Sequence, residues 1–105
     1  MVNRFEVYLF NLDDVLTSAA KNTRLCVVLS PDEMNRHIDS VIIAPISTKN
    51  TKYPTRIAIR LLNSERSIVL DQLRVVDKDR LVKKIGEISK HEKGETLKRL
   101  AEMFA

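Results

Sequence analysis

Apolar residues in this chain come in runs of strand length, each closed by polar or turn-forming residues, and only the last stretch shows helical spacing. Glu6–Asn11 has the aromatic and β-branched content of a strand. Leu12–Thr23 reads as a long polar loop. Arg24–Ser30 is a continuous apolar run, long enough for a buried strand and too short for a helix. Ser30 followed by Pro31 and Glu33 has the form of a capping box and predicts a short helix. Another apolar run follows from Val41 to Ala44. Pro45 has no amide hydrogen for a ladder bond, so the strand is expected to end there or lie at an edge.

Beyond the polar Ser47–Pro54 loop, Thr55–Leu61 alternates, with Ile57, Ile59 and Leu61 on one face and Arg56 and Arg60 on the other. Asn63–Arg66 reads as a turn and Ser67–Leu70 as a strand. Leu73–Val76 is another strand, Asp77–Arg80 a helical turn, and Leu81–Ile88 a last strand. Ser89 and Glu92 repeat the capping-box pattern and open a helix to about Phe104, with Leu97, Leu100, Ala101 and Phe104 as its apolar stripe. Six or seven short strands without regular strand–helix alternation predict a mainly β (α+β) fold. The expected form is a small, SH3-like, partly open antiparallel β-barrel with a C-terminal helix. At 105 residues, one domain spanning 1–105 is expected.

Composition narrows the chemistry. Two glycines exclude a Gly-rich phosphate loop. One cysteine, Cys26, excludes an internal disulfide and a cysteine-based zinc site, and a reducing cytoplasm is the expected setting. Neither histidine, His37 nor His91, has a second ligand at metal-binding spacing, so no metal or other cofactor is expected. No apolar run approaches the roughly 18 residues of a membrane span, and Met1–Phe10 does not resemble a signal peptide. The net charge is +4. Between Asp39 and Glu65 there is no acidic residue, whereas Lys49, Lys52, Arg56 and Arg60 all fall there. Such a segment suits a phosphate backbone, and Tyr53 within it offers a ring for base stacking. An ordinary solvated strand face is the competing account. Arg24 opens an apolar strand after polar Lys21, Asn22 and Thr23, which places its guanidinium at a sheet end, suited to a phosphoryl oxygen or to a structural carboxylate such as Asp71.

Lys21–Ser30, Val41–Ser47 and Tyr53–Ile57 resemble, in order, the blocks of MazF/PemK-type toxins. The most specific stretch is Val69–Leu81, followed by Lys84-Ile85-Gly86. The resemblance implies a barrel of the CcdB/MazF type, a homodimer, and a toxin neutralised by a cognate antitoxin protein. It implies a metal-independent endoribonuclease that cuts single-stranded mRNA through the RNA 2′-hydroxyl. In that family's pattern the catalytic arginine falls on Arg24 and a hydroxyl residue on Ser47, where threonine is usual. Asp71 matches an acid that either orients Arg24, acts as a base, or makes a structural hydrogen bond. The RNA-binding candidates are Lys21, Thr48, Lys49, Lys52, Tyr53 and Arg56. Three departures stand out: Leu25 where the family has proline, Phe5-Glu6 for its Gly-Asp, and no glycine in Leu12–Thr23. They leave a non-catalytic homologue as an alternative. A CcdB-like DNA gyrase poison is the other, although that branch ends in a helix with tryptophan and this chain has none.

Overall fold

A computed structural model of the protein describes residues 1–12, 22–49 and 53–105. Seven strands form one curled antiparallel sheet: β1 (Glu6–Asn11), β2 (Thr23–Val28), β3 (Ser40–Ser47), β4 (Arg56–Leu61), β5 (Ser64–Val69), β6 (Arg74–Asp77) and β7 (Leu81–Glu87). Two helices join them, α1 (Asp32–His37) and α2 (Lys90–Met103), with 3₁₀ turns at Leu70–Gln72 and Lys78–Arg80. The strand order is β4-β5-β3-β2-β1-β7, and β6 pairs β3 off that path. Most of the Leu12–Thr23 loop, and residues 50–52 of the next, lie outside the described residues.

The central strands are buried on both faces, which explains their uninterrupted apolar runs. Val7, Val27, Leu29, Ala44 and Ile46 face one core, completed by Ile57, Ile59 and Ile68 of the β4–β5 hairpin and by Leu100 and Met103 of α2. The alternate positions Phe10, Cys26, Val28, Val41 and Ile43 face a second core that Val76 of β6 closes. Each buried side chain of this size contributes about 1.5–3 kcal/mol.

Four local expectations are corrected. β3 does not stop at Pro45; it runs on to Ser47. Ile42 accepts from Leu29 of β2, so Pro45, three residues on, directs its nitrogen to the opposite side. There the β6 ladder has ended at Ile43 and the β5 ladder begins at Ile46, so no bond is lost. The turn assigned to Asn63–Arg66 is instead Leu62-Asn63, both at positive φ (53° and 61°), and β5 starts at Ser64. Two such residues closing Leu61 against Ser64 have the sign pattern of a type I′ hairpin, whose twist matches the strands.

Ser30 does not cap α1, which starts after Pro31 without a side-chain cap. Its hydroxyl instead donates to Asn35 Oδ1 (2.5 Å) and accepts from Ile42 N–H (3.1 Å), tying helix to strand. In α2 the capping box of Ser89 and Glu92 forms as expected. The packed stripe is rotated, however: Thr96, Leu100 and Met103 face the barrel, while Leu97 and Phe104 are 42% and 71% exposed.

Candidate active site

Where β1 and β2 end beside the turn after β3, the sheet opens into a cavity of about 1000 Å³. Five cationic side chains line it, Arg24, Lys49, Arg56, Arg66 and Arg74, and no acidic residue does so among the described residues. Such a concentration of one sign in a concave surface focuses positive potential where an anion can enter.

Arg24 reaches the cavity because it is the second residue of β2, past the point where that strand leaves the core. It stands directly across from Phe10 of β1. Its side chain is exposed and has no partner among the described residues, so the expected alternative of an Arg24–Asp71 pair is not what forms. Ser47 ends β3 on the other side. The β2–β3 register runs Val28 to Ile43 and Cys26 to Pro45, and carried two residues further it aligns Arg24 with Ser47. Both line the cavity. Ser47 Oγ accepts the Lys49 N–H at 3.1 Å, which anchors it while leaving its own hydrogen to donate outward. Thr48 and Lys49 follow on the cavity wall, both exposed.

Asp71 is held elsewhere. It accepts from the Thr55 hydroxyl at 3.0 Å and pairs with Arg56 Nε at 3.5 Å, and it is not part of the cavity wall. Desolvation pushes its carboxyl up, but the Thr55 hydroxyl, its own backbone N–H and the Arg56 guanidinium outweigh that and leave it below the usual 3.8. The same guanidinium lies over the Tyr53 ring, 5.4 Å from the centroid. Tyr53 itself is 58% exposed. Asp71, Thr55, Arg56 and Tyr53 thus form one cluster at the rim, with only Arg56 on the cavity wall.

The acid-free segment divides in space. Arg56 joins the cavity, but Arg60 lies four residues along β4, beside the start of α2, where its backbone N–H donates to Glu92 Oε2 at 2.8 Å. Lys21 and Lys52 lie outside the described residues. The C-terminal basic cluster is partly spent on the fold: Lys84 pairs with Glu6, Lys93 with Glu87, and Lys78 bonds the Asn35 carbonyl. Burial pushes the Cys26 thiol up to about 12, which makes it a core residue and no nucleophile. His37 and Glu33 form an exposed pair one turn apart in α1. Among the described residues no group of three or more His, Cys, Asp or Glu could hold a metal ion, and no helix is long and apolar enough to cross a membrane.

Sequence reasoning missed Arg66 and Arg74. The signal for Arg74 was present: like Arg24 it opens an apolar strand directly after a turn, so it too stands at a sheet end. Arg66 gives no such signal, because it sits within the stretch read as a turn.

Comparison with known proteins follows the same lines. The family of PemK-like, MazF-like toxins of type II toxin-antitoxin systems matches residues 3–104. A protein named endoribonuclease MazF, from Staphylococcus saprophyticus subsp. saprophyticus, is 33% identical over 95 residues, spanning 85% of this chain and 79% of that protein. The fold matches an endoribonuclease in complex with its cognate antitoxin from a mycobacterial species, with a TM-score of 0.82 at 20% identity over 99% of this chain and 95% of the other. It matches MazE–MazF from Deinococcus radiodurans with a TM-score of 0.81 at 17% identity, over 99% and 95%. The family match over residues 3–104 and the identity to the Staphylococcus protein agree: this chain belongs to the PemK-like, MazF-like toxins of type II toxin-antitoxin systems.

Proposed function

We propose that this chain is a sequence-specific endoribonuclease that cuts single-stranded mRNA through the RNA's own 2′-hydroxyl, with no metal, and so inhibits translation and growth. The observation that carries the reading is a cavity, lined by no acidic residue among the described residues, to whose wall β2 brings Arg24 and β3 brings Ser47. The name of the Staphylococcus relative supports it.

In this mechanism the 2′-oxygen attacks the adjacent phosphorus as its proton leaves, and the bond to the 5′-oxygen breaks as that oxygen is protonated. The products are a 2′,3′-cyclic phosphate and a 5′-hydroxyl. Because the nucleophile belongs to the substrate, the protein need only orient it, stabilise the phosphorane and move one proton off the 2′-oxygen and one onto the 5′-oxygen. Arg24 stabilises that charge with a planar fork whose donors no described residue occupies, and the Ser47 hydroxyl donates to a phosphate oxygen. Thr48, Lys49 and Arg56 hold neighbouring phosphates, Tyr53 stacks on a base at the rim, and Lys21 and Lys52 add to the positive charge. Asp71 acts through Arg56 as a positioning residue. The mycobacterial structure contains a cognate antitoxin and the Deinococcus one MazE; for this chain the antitoxin is an acidic segment that competes for the same charge, and the chain works as a cytoplasmic homodimer.

The test is a long transcript incubated with the protein in EDTA, with fragment ends mapped. Discrete cuts leaving 5′-hydroxyl ends are expected. Arg24→Ala should slow cleavage about 10²–10³-fold, the range for losing one donor to transition-state charge. Intact RNA, cleavage abolished by EDTA, or an Arg24→Ala protein as fast as wild type would each overturn the reading.

A further inference from the structure

The five cations of the cavity are not equivalent. Arg56 is held by Asp71 and the Tyr53 ring, and Arg66 donates from Nε to the Leu61 carbonyl at 3.2 Å. Arg74 differs: its guanidinium lies over the Phe10 ring, 5.8 Å from the centroid, and it has no ion pair among the described residues. Phe10 is 1% exposed and anchored in the second core, so the ring is a fixed platform. Arg24 stands directly opposite that same phenylalanine in the β1–β2 ladder. Residues so paired have Cβ atoms about 4.5–5.5 Å apart. Arg74 of β6 therefore lies over the buried ring that stands across the ladder from Arg24 of β2, and both arginines line one cavity, with no described carboxylate on its wall.

Two guanidinium groups that share a site repel each other unless an anion lies between them. A stacked face leaves the donor edge of Arg74 free, and that edge matches a phosphate in bidentate fashion. We propose that Arg74 is a further phosphate-binding residue, set by the Phe10 ring to hold the backbone phosphate next to the one Arg24 acts on. This rests on the RNA-cleaving reading above. It assigns Arg74 to substrate binding and leaves the bond-breaking step to Arg24.

The test uses a mixed-sequence single-stranded RNA methylated at every 2′-hydroxyl, which binds but cannot be cut through that oxygen. Its dissociation constant is measured against salt concentration for wild type, Arg74→Ala and Arg74→Lys. Each phosphate contact to a single strand contributes about 0.7 to the slope of log affinity against log salt. Arg74→Ala should bind roughly tenfold or more weakly and lose about 0.7 of slope, an effect that a structural role would not produce. Arg74→Lys should keep the slope, because the charge remains, yet lose several-fold in affinity as the fork is replaced by a point charge. With cleavable RNA, Arg74→Ala should raise KM and leave kcat within about threefold.

An Arg74→Ala protein with wild-type affinity and slope overturns the assignment, and so does a fall in kcat with unchanged affinity. A wild type that does not bind the methylated RNA overturns the RNA reading itself, which separates the two failures. Melting temperatures of both variants within a few degrees of wild type establish that folding is not the cause of any change.

Discussion

Replacing Asp71 with asparagine separates a role that the sequence leaves open, a proton acceptor in the reaction, from the one its contacts support, a clamp on Arg56. A general base contributes about 10²–10⁴-fold to the chemical step, and asparagine cannot take a proton. A clamp is worth far less. The Arg56–Asp71 pair spans 3.5 Å with the carboxylate side chain 40% exposed, and partly exposed pairs of this kind are worth about 0–1 kcal/mol. One kcal/mol corresponds to about fivefold. Asparagine also keeps an oxygen to accept from Thr55, so the rim should stay in place. The expected result in single-turnover RNA cleavage is a fall in kcat/KM of at most about fivefold, most of it in KM.

Two further readouts sharpen the case. Because Arg56 and Thr55 hold the Asp71 carboxyl below 3.8, it is ionised throughout the neutral range. No inflection in the pH–rate profile above about pH 5 should disappear in Asp71→Asn. In an Arg56→Ala background Asp71→Asn should add almost nothing, since the group it positions is gone. A hundredfold loss in kcat, or a full additional loss on top of Arg56→Ala, would refute the clamp and return Asp71 to the chemistry.

Three perturbations test the scaffold. Ser30→Ala strands the Asn35 carboxamide oxygen and the Ile42 amide together, and should cost about 1–3 kcal/mol in urea unfolding with an unchanged m-value; a loss under 0.5 kcal/mol would contradict the bridge. Leu62→Asn places a residue tolerant of positive φ in the hairpin turn while giving up a side chain already 59% exposed. It should stabilise by about 1 kcal/mol and raise Tm by about 4–8 °C, and a lower Tm would speak against the turn. Burial pushes the Glu6 carboxyl up, but Lys84, the Asn3 N–H and Tyr8 outweigh it and hold it below 4.5. Its contribution is therefore present above the unfolded value near 4.5 and lost as pH falls through the folded one. Urea midpoints titrated downward from neutral should fall less steeply below pH 4.5 in Glu6→Gln than in wild type, and equal slopes would exclude the pair as their source.

Strand positions were legible because burial on both faces leaves β1, β2 and the first half of β3 as unbroken apolar runs, and half-exposure leaves β4 alternating. What escaped depends on partners distant in sequence. Pro45 stays within a strand only because β6 and β5 exchange places beside it. Phe5 stands where the family carries glycine, and the reason appears in the backbone: its φ is 72°, a conformation that costs a side chain about 1–2 kcal/mol. Packing against the first core and backbone bonds to Val28 and Ile88 offset that cost. Among the residues lining the cavity, Arg24 and Ser47 were named from family motifs, whereas for Arg74 the sequence showed a strand-end position and only the fold its place over Phe10.

The helix makes the general point. Two stripes that share Leu100 fit the 3.6-residue period in α2: Leu97, Leu100, Ala101 and Phe104, or Thr96, Leu100 and Met103. Hydropathy favours the first, because Thr96 is polar. Yet the Thr96 hydroxyl donates to the Glu92 carbonyl at 2.8 Å, so its burial leaves no donor unmet. The Glu92 carboxylate then decides the rotation. One oxygen closes the capping box on Ser89, and the other accepts from the exposed edge of β4 at Arg60. That contact pins the helix start to the sheet and turns the second stripe inward. A side chain that caps its own helix and pairs a strand edge is invisible to periodicity, because only one of its two partners is local.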